Sequence, residues 1–110
     1  MRDYKDTVRM RHMLDAANEA TELIEGKDRN SLDEDRVLNL ALVRLLEIIG
    51  EAANQVTIEE QMEHPEIAWG QIISLRNRLI HGYDSVDFDI LWQILKHDLP
   101  NLVVSLEKII

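Results

Sequence analysis

Leu38-Asn39-Leu40-Ala41-Leu42-Val43-Arg44-Leu45-Leu46-Glu47-Ile48-Ile49-Gly50-Glu51-Ala52-Ala53-Asn54-Gln55-Val56 is the most apolar stretch of the chain, and its period decides the fold. At the helical angle per residue, Leu38, Ala41, Leu42, Leu45, Leu46, Ile48, Ile49, Ala52, Ala53 and Val56 cover nearly half of the circumference, as a central core helix should. Ser31 followed three positions later by Glu34 has the form of a capping box, which predicts one helix over about 32 to 57. The opposite arc carries Arg44, Glu47, Glu51 and Asn54 mixed with Leu40, Val43 and Gly50, a strange composition for a face that only meets water.

Upstream of this helix, Met10, Met13, Leu14, Ala17, Ala20 and Ile24 recur at three-and-four spacing, predicting an amphipathic helix from about Asp3 to Glu25 that Gly26 ends. Downstream, residues 58 to 66 read as a connection or short irregular helix. A third helix then runs from Ile67 to His81, with Gly82 as its left-handed cap. Phe88, Leu91, Trp92, Leu95, Leu99, Leu102, Leu106 and Ile109 predict a fourth helix starting near Ser85 or Asp87. Its apolar phase continues through Pro100, although the proline removes the hydrogen bond to Lys96, so the helix is expected to be kinked or broken there. The expectation is an all-α, four-helix bundle forming a single domain over residues 1–110, with no repeats.

Composition narrows the function. The chain of 110 residues has 12 Lys and Arg against 21 Asp and Glu, a net charge of −9 that disfavours unspecific attraction to phosphate backbones or anionic membranes. Without cysteine there are no disulfides or thiolate metal sites, and a cytoplasmic protein is expected. Neither a signal peptide nor a membrane span is legible, and two Trp, two Tyr and one Phe are too dispersed to suggest a base-stacking platform. Trp69 and Trp92 read as packing residues. His12, His64 and His97 lack metal-ligand spacing, so neither a metal nor another cofactor is expected.

The local exception to the acidic balance is Ile67 to Tyr83, which has no acidic residue and contains Arg76, Arg78 and His81. With Ile72 at zero on the helical wheel, Leu75, Leu79, Ile80 and Ile73 flank Arg76, which falls inside the apolar arc. A guanidinium there requires a buried carboxylate, with Glu47 and Glu51 as natural partners, or a cleft completed by a ligand or a second subunit. Asn77 and His81 are four apart and share one helical edge, so both can converge with Arg76 on one ligand. In a final helical turn His81 would meet the negative end of the helix dipole, suiting it to acid–base work.

The run Arg76, Asn77, Arg78, Leu79, Ile80, His81, Gly82, Tyr83 resembles the signature of the HepT-like branch of the HEPN superfamily. The similarity extends to Ile48 through Ala53, to Pro65 through Trp69, to Val86 and Asp87, and to Asp98 through Pro100. Ala68 departs from it, standing where the family has a second proline before the tryptophan. The resemblance implies a homodimeric, metal-independent endoribonuclease toxin, paired with a nucleotidyltransferase antitoxin of the MntA kind that silences it by adding AMP to Tyr83. It also implies that the two motifs of a dimer share a cleft at the subunit interface. In such a site His81 acts as general base or acid on the ribose 2′-hydroxyl and the leaving oxygen. Arg76 stabilises phosphorane charge, Asn77 orients the phosphate or the imidazole, and Arg78 is a peripheral contact to the RNA substrate. The alternative is a non-catalytic helical subunit that binds nucleotide or regulates a partner nucleotidyltransferase, a role that the acidic balance suits.

Overall fold

Residues 2–82 and 85–110 are described by the computed structural model of the chain. Helix α1 (Tyr4–Leu23) is opened by Asp3, whose carboxylate accepts from the Lys5 amide, and it buries Met10, Met13, Leu14, Ala17 and Ala20 as their spacing predicts. The chain then turns through Gly26 at φ 73°, a left-handed conformation that glycine adopts without steric cost.

The expected helix over 32 to 57 is two helices. Asp28 caps α2 (Arg29–Glu34) in a reciprocal box, accepting from the Ser31 amide while Ser31 Oγ accepts from the Asp28 amide. Asp35 is extended and caps α3 (Arg36–Gln55) through the Leu38 amide at 3.0 Å. Ser31 is therefore the third residue of a box that Asp28 opens, and a second aspartate stops and restarts the helix. The buried Asn39 amide donates to the Leu32 carbonyl at 2.9 Å and fastens α2 to α3 across the break.

Thr57 caps α4 (Ile58–Glu63). Its amide and hydroxyl both donate to the Asp6 carboxylate, at 2.9 and 2.7 Å, so this buried acid joins α1 to the start of α4 with its charge met by hydrogen bonds. Trp69 is buried and its indole donates to the His64 carbonyl at 3.0 Å, the packing role expected of it.

The third helix is shorter and less regular than its periodicity predicts. It comprises α5 (Trp69–Ile73), a turn at Ser74 and α6 (Leu75–Leu79). Ile80–Gly82 is strand β1, paired antiparallel with β2 (Ser85–Val86) in a two-stranded ribbon with Ile80 opposite Val86. The Asp87 amide donates to the Leu79 carbonyl at 2.9 Å, which closes the ribbon against the helix end. Gly82 lies in a strand and is not at positive φ, so it is no left-handed cap.

Asp87 caps α7 (Phe88–Gln93), which passes through a π-helical turn (Ile94–Asp98) into α8 (Leu99–Ile109). The Leu99 amide bonds to the Ile94 carbonyl, five residues back. This wider turn sits where the Pro100 ring would otherwise press on the Lys96 carbonyl, so the rod runs through the proline instead of breaking. Leu91, Ile94, Leu95, Leu99, Leu102 and Leu106 remain buried along it.

The four limbs of the bundle are α1, α3, the α5–α6 pair and the α7–α8 rod, and the all-α expectation is met apart from the small ribbon. α1 packs against α3 and α8, while α3 also packs against α5 and α6. At Gly50 the backbones of α3 and α5 come together: a Cβ there would lie 3.1 Å from the Ile72 carbonyl oxygen and 3.3 Å from that of Ile73. The glycine on the odd arc of the central helix is thus a crossing point. Gly50→Leu is expected to force the two backbones apart and lower stability by about 1–3 kcal/mol in urea melts, outweighing the roughly 1 kcal/mol helix-propensity gain that an exposed glycine site would return.

Candidate active site

Arg76 emerges from α6 with its side chain 61% exposed, its Nε 3.9 Å from Glu47 Oε2 on α3. Glu47 also faces Arg44 at 3.7 Å, and Arg44 lies 3.7 Å from Glu51. Of the two carboxylates that the sequence offered to Arg76, Glu47 is beside it and Glu51 is engaged by Arg44. Of the two arrangements open to Arg76, a buried carboxylate partner or a place in a cleft, the single chain has the second. The position of Arg76 inside the apolar arc holds only for a continuous helix, and the turn at Ser74 re-aims α6 so that Leu75 and Leu79 go inward while Arg76 looks out.

Asn77 is exposed and, with Arg76, lines a cleft of about 190 Å³ beside Gly50, Glu51 and Asn54. Arg78 turns to the other side of α6, where its Nη1 donates to Asp98 Oδ2 at 3.3 Å. Asp98 is the last residue of the π-helical turn, so this bond ties α6 to the rod.

His81 does not share a helical edge with Asn77, because the helix ends at Leu79 and His81 lies on β1 with its side chain 57% exposed. The register of the ribbon shifts between Ile80 and Gly82, and His81 is the extra residue there, without a partner on β2. The helix dipole expected to act on it is not available to a residue in an extended strand. What faces it is Asp87, whose Oδ2 is 4.0 Å from His81 Nε2, an ion-pair distance for an imidazolium and too long for a direct hydrogen bond. The other oxygen of Asp87 accepts from the Ile90 amide at 3.0 Å, which fixes the carboxylate in place. Tyr83 lies outside the described residues.

A larger cleft of about 630 Å³ runs between α3 and the ribbon, with Arg76, Glu47 and Arg36 among its polar residues and Leu40, Val43, Ile80, Val86 and Phe88 along its walls. Arg76 borders both clefts, whereas His81 lines neither. One chain therefore gathers Arg76, Asn77 and Glu47 around the smaller cleft. Among the described residues no three His, Asp or Glu side chains gather as a metal-holding group, and no helix is long and apolar enough to cross a membrane. From the sequence, Asp87 has no role beyond the start of a helix, and Asp98 figures only within the family resemblance. The cap position was legible for Asp87, but its approach to His81 depends on the ribbon.

The ribonuclease HepT-like family matches residues 13–109 of the chain. Among its relatives, a protein of Methanocaldococcus jannaschii named as a candidate RNase is 34% identical over 95 residues, covering 86% of this chain and 87% of its own. One of Thermococcus cleftensis named a probable ribonuclease HepT is 40% identical over 95 residues, covering 83% and 86%. A third, from Caldanaerobacter subterraneus and also named as a candidate RNase, is 32% identical over 101 residues, covering 92% and 90%. No solved structure matches the chain.

The exposure of Arg76 sets the energetics of its pair with Glu47. Ion pairs open to solvent contribute about 0–1 kcal/mol, so Glu47→Ala is expected to change the thermal melt by no more than that, far below the several kcal/mol that stranding a buried charge costs. Asp87→Ala should lower stability by about 1 kcal/mol through the lost cap while Asp87→Asn keeps it, which separates capping from any effect on His81 in paired melts and activity assays.

Proposed function

The chain belongs to the ribonuclease HepT-like family, and from that premise we propose that it is an endoribonuclease that cleaves RNA without a metal ion and serves as the toxin of a toxin–antitoxin pair. The single observation that carries the reading is that Arg76 and His81, the first and last residues of the span from arginine to histidine in the motif, lie within the matched residues and are both exposed to solvent.

His81 takes the proton of the ribose 2′-hydroxyl and, as an acid, returns a proton to the leaving 5′ oxygen, giving a cyclic phosphate end. Asp87, held by its bond to α7, stabilises the imidazolium formed between those steps. Arg76 stabilises the phosphorane and exchanges its long contact to Glu47 for the phosphate oxygens. Asn77 orients the phosphate, and Arg78 leaves Asp98 to meet a neighbouring one.

The chain acts as a homodimer. A second copy that brings its own residues 76 to 83 against the first gathers the motif side chains of both chains in one cleft. The cognate partner is a nucleotidyltransferase of the MntA kind that adds AMP to Tyr83. A phenol-linked AMP two residues from His81 adds bulk and negative charge where an anionic substrate must approach.

Purified protein incubated with total RNA is expected to cleave it equally with and without chelator, while Arg76→Ala and His81→Ala each lose about 100-fold or more. Loss of cleavage in chelator overturns metal independence. An inert wild type that still binds the nucleotidyltransferase supports the non-catalytic alternative. After co-expression with the partner, mass spectrometry should find AMP on Tyr83 and not on Tyr4, and Tyr83→Phe should stay active beside it. Inhibition that survives in the phenylalanine variant means that the partner acts by occlusion.

A further inference from the structure

We infer that the cleft between α3 and the β ribbon is a track for a single-stranded segment of RNA, with Arg36 as a phosphate contact distant from Arg76 and Phe88 as a surface on which a base packs. The inference rests on the ribonuclease reading and deepens it, since it names the form of the substrate and two residues that hold it.

The cleft has a volume of about 630 Å³, within the range of sites that enclose small organic ligands. Its length follows from α3. Arg36 stands at the first position of that helix and Glu47, the neighbour of Arg76, eleven residues later, about 16 Å along the axis at the helical rise. That is longer than one nucleotide. The walls between the two arginines are largely apolar, with Leu40 and Val43 on α3 and Val86 and Phe88 on the other side, and one face of the Phe88 ring is already covered by the Arg29 guanidinium, 5.8 Å from its centroid.

The lining of the cleft is balanced in charge, Arg36 and Arg76 against Asp33 and Glu47. Both of its carboxylates are engaged: Asp33 accepts from Arg29 at 2.9 Å, and Glu47 faces Arg44 as well as Arg76. Arg36 is exposed and has no ion-pair partner among the described residues. Cation, apolar wall, cation is the alternation of phosphate, base, phosphate in an unstacked strand. In a duplex the bases are stacked inward and present nothing for Val86 or Phe88 to touch. Another polar cleft, about 440 Å³ beside Arg2, Asp6, Glu60 and His64, offers a contrast, because these groups bond to one another or to Thr57.

Fluorescence anisotropy with a short mixed-sequence 2′-O-methyl oligoribonucleotide, which lacks the nucleophilic hydroxyl and so survives the incubation, tests the track. Wild type is expected to bind it single-stranded at least tenfold more tightly than in a duplex. Arg36→Gln should weaken binding about tenfold and reduce the slope of log affinity against log salt by about 0.7. Phe88→Leu, which keeps apolar volume, should weaken it about fivefold or more with the slope unchanged. Arg11→Gln, an equal charge change on the exposed side of α1, should do neither. Thermal melts report on folding, and Arg36, exposed in the first helical turn, keeps the test open should the Phe88 variant unfold.

Absent binding by wild type, equal affinity for the duplex, or wild-type binding by both variants overturns the track. So does a shift of both variants to monomer in light scattering with RNA affinity unchanged, which assigns the cleft to contact between copies. Cleavage of ordinary RNA is scored separately. Binding that depends on Arg36 and Phe88 in a protein that cleaves nothing retains the track and removes the ribonuclease reading; cleavage with binding indifferent to both does the reverse.

Discussion

Two backbones approach one another so closely at Gly50 that a side chain there would have to push one of them back by a few tenths of an ångström, and the placement of the candidate site follows from that approach. With α5 seated on α3 at Ile72 and Ile73, the short helix after Ser74 begins beside the upper arc of α3, and Arg76 comes within reach of Glu47. The mixed arc of the central helix then makes physical sense. Gly50 is the contact, Glu47 and Glu51 are the charges around it, and Leu40 and Val43 form a wall that the ribbon faces. Close packing transmits position, so a fraction of an ångström at the crossing is felt at the guanidinium.

Much of the fold was legible because helical periodicity reports burial directly. The stripe Met10, Met13, Leu14, Ala17, Ala20 and the run from Leu91 to Leu106 are buried where their spacing puts them. What escaped was decided by competition between local signals or by contacts between distant residues. The apolar period runs on from Leu32 to Leu38, and nothing in it marks that Asp35 turns its carboxylate onto a backbone amide and stops the helix. Ile80 keeps the helical phase too, yet it pairs with Val86 in a ribbon, an arrangement set by a partner six residues away. That second miss matters for the site, since it moves His81 from the edge of a helix to an exposed strand and gives it Asp87 as its neighbour. Arg76 and Arg78 were singled out by charge, but their faces depend on the bend at Ser74, which no periodicity encodes.

A net charge of −9 sits awkwardly with an anionic substrate only if charge is taken as a sum. At physiological ionic strength exposed charges beyond about 8 Å are largely screened, so an approaching phosphate meets the groups nearest to it. Around Arg76 the carboxylates are already engaged by Arg44 and by Arg76 itself, and the segment from Ile67 to Gly82 carries no acid. The remaining acidic surface disfavours unspecific adhesion to nucleic acid and confines attraction to the places where cations face outward.

Helix α2 is the part of the molecule with the least to lose by opening. It buries only Leu32, and apart from its own cap it is held by the Asn39 bond and by Arg29, which bonds to Asp89 at 2.7 Å and lies over the Phe88 ring. The hydrogen bond to Asp89 raises the guanidinium pKa above its ordinary value. Local unfolding free energies scale with what an element buries. The amides of α2 are therefore expected to exchange with solvent through a partial opening that leaves α3 and the rest of the bundle intact, sooner than those at the crossing of Gly50.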